Sequence, residues 1–176
     1  MKTNDIIKAM TERRSIRDFK ADAVPRELLE PIIHAGLYAA SAMGQQSTAI
    51  VAVTEKRLRD RLSEMNCAIG GWDKSFDPFY GAPAILIVLA KKDWPNRVYD
   101  GSLVMGNLML AAHSLGLGSI WIHRAKEEFE SAEGKDILRK LGVKGEWEGI
   151  GHCAVGYAAE QPKAAPRKEG RVYWAE

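Results

Sequence analysis

Arg13-Arg14-Ser15-Ile16-Arg17 sets three guanidinium groups and a hydroxyl around one apolar side chain. Guanidinium forks hold phosphate and carboxylate through paired, parallel hydrogen bonds, so this run suits an anion. It suits a solvated helix end equally well, because positive charge complements the helix dipole there. A second run, Ala40-Ser41-Ala42-Met43-Gly44-Gln45-Gln46-Ser47, is small and polar. It reads as a connector, or as a loop whose Ser and Gln side chains meet a polar ring edge, with Gly44 allowing close backbone approach. The third is Leu115-Gly116-Leu117-Gly118-Ser119-Ile120-Trp121-Ile122-His123-Arg124, a glycine turn feeding a short β segment. Backbone freedom at such a turn is what a bound cofactor uses.

Other chemistries lack their motifs. His34, His113, His123 and His152 show no HExxH spacing, and Cys67 and Cys153 form no CxxC pair, so no metal site is expected. His113, on an apolar helix, reads as a hydrogen-bonded core residue. Ser15, Ser41 and Ser119 lack a GxSxG setting. Gly116-Leu117-Gly118 would place the third small residue of a dinucleotide fingerprint at Trp121, and Gly149 to Ala154 (GxGxxA) runs into a strand instead of opening a helix. A net charge of +2 argues against a general nucleic-acid binder, although Arg13–Arg17 with Arg167–Arg171 keeps that rival in view. No stretch is long and apolar enough for a membrane span, and no leader is visible. The expectation is one domain over 1–176, reduced and cytoplasmic.

These runs must be held by elements. Residues from Asn4 or Thr3 to Glu12 form a first helix, with Ile6, Ile7 and Met10 on one face. Pro25 opens a second to about Ala39, in which Pro31 predicts a kink or a late start. Ala49–Thr54 reads as a strand, with Thr54 capping a helix to about Met65. Gly70–Gly81 is irregular and aromatic, either packed down as a lid or turned to a partner. Ala84–Ala90 is a continuous apolar run, a strand buried on both faces. Ser102–Leu115 is apolar in almost every direction and predicts a buried helix ended by Gly116. A strand at Ser119–His123, one helix over Glu127–Leu141 and a strand at His152–Tyr157 complete the series. The basic tail from Gln161 ends in Val172-Tyr173-Trp174, which should pack somewhere, a partner protomer being one place.

In that order the three runs resemble the nitroreductase family of FMN flavoproteins. Arg13-Arg14-Ser15-Ile16-Arg17-Asp18-Phe19 meets the motif RRSxRxF in full. Ser41 and Gln46 match the second motif, (A/P)SxxNxQPW, but Gly44 replaces its asparagine, Ser47 its proline and Thr48 its aromatic. Leu115 to Ile122 matches the helix-end turn LGLGSxWI. The resemblance implies an α+β fold, a central, mostly antiparallel sheet wrapped by helices, in a homodimer with the apolar helix at its centre.

It also implies FMN, reduced by NADH or NADPH at flavin N5, with electrons then passed by alternate binding to a small-molecule acceptor such as a nitroaromatic or quinone. An enoate, a halogenated aromatic or flavin itself as acceptor, or flavin binding with little turnover, are the alternatives. Arg13, Arg14, Ser15 and Arg17 would hold the phosphate, ribityl chain and N1/O2 edge, where a guanidinium stabilises reduced flavin. Ser41, Ala42, Gly44 and Gln46 would approach from the partner, Gly44 through its backbone, and Asn66 would reach the pyrimidine edge. Trp121, Ile122, His123 and Arg124 would form the turn beside N5, His123 and Arg124 standing where the family often has an acidic residue or glycine. Arg167 and Lys168, in the segment 161–176 that crosses to the partner, would complete the phosphate clamp. No catalytic side chain is required, since the cofactor carries the chemistry.

Overall fold

Ala84-Ile85-Leu86-Ile87-Val88-Leu89-Ala90 is too apolar to face water on either side, and it lies buried inside a sheet. The computed structural model describes residues 2–176. Its sheet has four antiparallel strands: β1 (Thr48–Val53), β2 (Ala84–Lys91), β3 (Gly118–Ile122) and β4 (Trp147–Gly156), in the order β1-β2-β4-β3. Side chains alternate across the sheet, so β2 feeds two cores. Ile85, Ile87 and Leu89 meet Leu62, Phe79, Ile120, Ile122 and Phe129 on one face. Leu86 and Val88 meet Leu29, Ile32, Val104, Met105, Leu108 and Cys153 on the other. The expected antiparallel α+β architecture is present.

Helices α1 (Asp5–Glu12), α2 (Arg26–Leu37) and α4 (Arg97–Ser114) belong to the second face, and α3 (Lys56–Gly70), α5 (Ala125–Glu130) and α6 (Ala132–Lys140) to the first. Asn4 caps α1, its Oδ1 accepting from the Ile7 amide at 2.9 Å. Pro31 neither delays nor divides α2, whose Leu29 and Ile32 are locked into the core. Glu55, not Thr54, caps α3: its carboxylate accepts from Arg57 and Leu58 amides at 2.7 Å each.

Two expectations are corrected. The apolar helix starts earlier, at Arg97, and within the single chain it is not covered all round: Val104, Met105, Leu108 and Ala112 are buried, while Tyr99, Leu103 and Gly106 lie open. One sheet face and α2 can cover only one side of it. The single helix over 127–141 is two, because Ser131 takes extended backbone (ψ 157°), donates to Glu128 O at 2.6 Å and accepts from the Gly134 amide at 3.0 Å. The GxGxxA match runs into β4 as expected, and its glycines serve packing. Val88 pairs with Gly151 and Leu89 with Gly149, so Ile150 is the extra residue of a bulge. A Cβ on Gly149 would sit 2.2 Å from Ala125 O, and one on Gly151 2.2 Å from the Trp121 indole nitrogen.

Among the described residues no helix is long and apolar enough to cross a membrane. Beyond Ala159 the chain is without helix or strand, and Tyr173 and Trp174 stand 90% and 82% exposed.

Candidate functional site

The arginine run is a rib laid along the edge of the sheet. Ser15 forms a parallel bridge with Ser119, and the Ile16 amide donates to Ser119 O at 3.2 Å. Ile16 is buried over Gly118, where a Cβ would come within 2.8 Å of its Cγ1. Farther along, Lys20 N donates to Tyr157 O at 2.8 Å, Ala159 N to Asp18 O at 2.9 Å, and the Arg17 amide to the Glu160 carboxylate. The first and third runs, a hundred residues apart, are thereby joined. Between them lies a cleft of about 330 Å³ lined by Arg13, Arg14, His113, Gly116, Ser119 and Glu160, among others.

The arginines in it are not equivalent. Arg14 turns back on α1, its Nη1 donating to Thr11 O and Arg13 O at 2.7 Å each, and so does the work of a helix end. Arg13 keeps Nη1 buried and without a partner. Burial, with the neighbouring charge of Arg14, lowers its pKa from the ordinary guanidinium value. An anion in the cleft would relieve both. The Cys153 thiol near it is pushed up to about 12 by burial and stays neutral. Arg17 is exposed, as are Arg167 and Lys168 in the tail. His113, read from the sequence as a hydrogen-bonded core residue, is half-buried at this cleft, and among the described residues no hydrogen bond holds its side chain.

The turn after β3 is built from one amide. Asn66, fully buried, donates to His123 O at 2.8 Å and accepts from Arg124 Nε at 3.1 Å. Its amide is thus engaged by the turn at both ends within this chain. Arg124 takes the left-handed backbone (φ 76°, ψ 6°), uncommon for a residue with a side chain. Trp121 and His123 stack with centroids 5.7 Å apart.

Behind the turn, the aromatic stretch 70–81 is fastened to α3. Asp77 accepts from Ser63 Oγ at 2.6 Å and from the Phe79 and Gly81 amides at 2.9 and 2.8 Å, and it pairs with Arg59. Burial would raise its pKa, but Arg59, Ser63 and the two amides outweigh that and hold it below the usual carboxylate range. Cys67 donates to Asp73 O at 3.1 Å beneath it. Trp72, Phe76 and Tyr80 follow edge to face at 5.0 and 5.8 Å.

The small-polar loop hangs on a residue the sequence reading passed over. Asp100 of α4, 2% exposed, accepts from the Ala42 amide, Ser47 Oγ and Trp94 Nε1, each at 2.9 Å. Burial pushes its pKa up, and these three donors reverse that and hold it below the usual range. The legible signal was an acid at the head of an apolar helix. Ser41 Oγ accepts from the Gln46 amide at 3.0 Å. Met43, Gly44 and Gln46 all take positive φ, 54°, 64° and 47°. Among the described residues no hydrogen bond or ion pair joins this loop, Arg167 or Lys168 to the arginine cleft.

A second feature also escaped notice. His152 and Glu128, both fully buried, lie 2.6 Å apart beside Phe79 and Phe129. The contact is close but off the N–H axis, so it falls short of an aligned hydrogen bond. Among the described residues no group of three His, Cys, Asp or Glu side chains could hold a metal.

A helix-wrapped antiparallel sheet with an arginine-lined cleft at one edge is the class of domain these observations define. The model of the Nitroreductase family matches residues 10–157, and the chain belongs to that family. It is 29% identical over 178 residues to an NADPH-flavin oxidoreductase of Vibrio harveyi, spanning 96% of this chain and 72% of the relative. A nitroreductase with bound FMN from Bacteroides fragilis superposes with a TM-score of 0.88 at 26% identity, covering 99% of this chain and 100% of the other. A second, from Desulfitobacterium hafniense, has a TM-score of 0.89 over 99% of this chain and 100% of its own, at 23% identity, and speaks for the fold alone.

Proposed function

We propose that this chain is an FMN-dependent NAD(P)H oxidoreductase that passes electrons to a nitroaromatic, quinone or similar acceptor. The observation that carries the reading is the junction of Ser15–Ile16 with Ser119, which makes one cleft of two motifs. The donor set fits a phosphorylated cofactor: a half-buried arginine with an unanswered nitrogen, a second arginine nearby and glycines that leave the backbone bare. FMN, when bound, supplies the hydride acceptance and release that no side chain here offers.

Arg13, Arg14, Ser15 and Arg17 would hold that cofactor, and Arg17, which has no ion-pair partner among the described residues, would place positive charge where reduction adds negative charge. Asn66 keeps Arg124 in its left-handed backbone, so that the N–H groups of the turn after β3 are fixed before anything binds. Trp121 and Ile122 are anchored in the sheet beside it.

The site is completed by a second copy in this reading. Ile6, Ile7 and Met10 of α1 and Tyr99 and Leu103 of α4 are exposed apolar surface that a homodimer would bury. Asp100 holds Ser41, Ala42, Gly44 and Gln46 outward for the partner's flavin. The tail 161–176 crosses the other way, bringing Arg167 and Lys168 to a phosphate.

The test is the visible spectrum of the purified protein, followed anaerobically as NADH or NADPH is added. A flavin band that bleaches supports the reading. A protein that takes up no FMN, or whose flavin neither nucleotide bleaches, refutes it. Steady-state lines with NADH and a nitroaromatic should be parallel, and intersecting lines would exclude alternate binding.

A further inference from the structure

Arg124 is fixed on two sides and free on the third. Its Nε donates to Asn66 at 3.1 Å, and its guanidinium carbon lies 4.1 Å from the centre of the Trp72 ring. Among the described residues neither Nη atom has a hydrogen-bond or ion-pair partner. Its backbone holds φ 76°, a conformation glycine adopts freely and a long side chain keeps only where its surroundings impose it. Asn66 imposes it, gripping the backbone at His123 O and the side chain at Arg124 Nε with one amide. Stacking on the indole removes further freedom from the guanidinium. The result is a pre-set fork with two unclaimed N–H edges, which loses little entropy when it meets an oxyanion.

The surface next to the fork is aromatic. Trp72 and Phe76 are partly exposed and meet edge to face, on a stretch that Asp77 fastens to α3. A fixed fork beside exposed rings is the recognition pattern for an aromatic ring bearing a carboxylate. We propose that Arg124 and Trp72 form the acceptor end of the site and select anionic aromatic acceptors over neutral ones of the same shape. This rests on the flavin reading above, in which the turn 121–124 borders the cofactor.

Benzoate and benzamide have nearly one shape and differ in charge, and neither is reduced. Titrated into FMN-loaded, oxidised protein and followed by tryptophan fluorescence and flavin absorbance, benzoate should bind about tenfold more tightly, the size of one charge-assisted contact. Arg124→Gln should abolish the preference, and Arg124→Lys, which keeps charge without the fork, should restore part of it. Equal affinities in the native protein, or a preference that survives Arg124→Gln, would overturn the subsite.

A turnover arm separates the two sources of an anion. The ratio of kcat/KM for 4-nitrobenzoate to that for 4-nitrobenzamide is internal to each variant, so any general loss of activity cancels. It should fall about tenfold in Arg124→Gln while the NADPH-to-NADH ratio stays put. The reverse result would assign the fork to the dinucleotide phosphate and sink the acceptor assignment. Active, flavin-loaded protein with no charge preference defeats the subsite alone, whereas a chain that takes up no FMN defeats the flavin reading and the subsite with it.

Discussion

Asp100→Asn isolates the anchor of the small-polar loop without changing its size. Asn keeps one carbonyl oxygen for the Ala42 amide, but its NH₂ group faces Ser47 Oγ and Trp94 Nε1, both donors to the native carboxylate at 2.9 Å. The serine hydroxyl can rotate and accept, whereas the indole N–H cannot and is left against another donor. Losing one charge-assisted bond and stranding one donor costs about 2–4 kcal/mol, or roughly 5–12 °C in Tm for a domain of this size. Melting curves of flavin-free and flavin-loaded protein measure it, and FMN retention on dilution reads the loop itself. The pH dependence gives an internal check. The folded Asp100 pKa lies below its unfolded value, so its contribution is present above about pH 4 and drains away as pH falls through the folded value. The gap between native and variant should be level from about pH 6 to 8 and close in acid. A variant within about 1 °C of native at pH 7, or a gap that widens in acid, would refute the anchor.

Arg13→Met should weaken FMN binding by about tenfold or more while leaving flavin-free protein as stable or stabler, since it removes a buried nitrogen without a partner. A loss of stability without FMN would mean that Arg13 is structural. Removing the chain after Gln161 should loosen FMN and reduce self-association in sedimentation runs; a truncated protein that remains a flavin-loaded dimer would discard the tail clamp. Glu128→Leu or His152→Phe alone should cost about 3–5 kcal/mol in urea unfolding, and the double variant far less, because each single change leaves the other polar side chain in the core without the neighbour it meets at 2.6 Å. Additive losses would show that the two do not act as a pair.

The sheet was legible because its signals are local. The apolar run of β2, the glycine ending α4 at Gly116 (φ 77°) and the RRSxR segment are each read within a few residues. What stayed hidden depends on partners distant in the chain. Asp100 is 58 residues from the Ala42 amide it accepts, and Asn66 is 57 from His123. The break at Ser131 was obscured because α5 and α6 together carry a plausible single helical pattern, and the serine decides only by capping the second. Gly149 and Gly151, set aside as a nucleotide fingerprint because they run into a strand, gave no local sign of the Ala125 backbone and Trp121 indole that their missing side chains admit.

The two cysteines, buried at different depths of organisation, make the molecule its own clock. Cys67 donates its thiol hydrogen beneath the aromatic stretch, and Cys153 lies in β4 between Leu86 and Trp121 of the neighbouring strands. A thiol reagent reaches neither until something opens. Lifting residues 70–81 uncovers the first, while the second waits for the sheet to come apart. Labelling rates at the two positions therefore time a local excursion against global rupture in one sample, with no probe added to the chain. A bound ligand that steadies the aromatic stretch would slow the first clock and leave the second running as before.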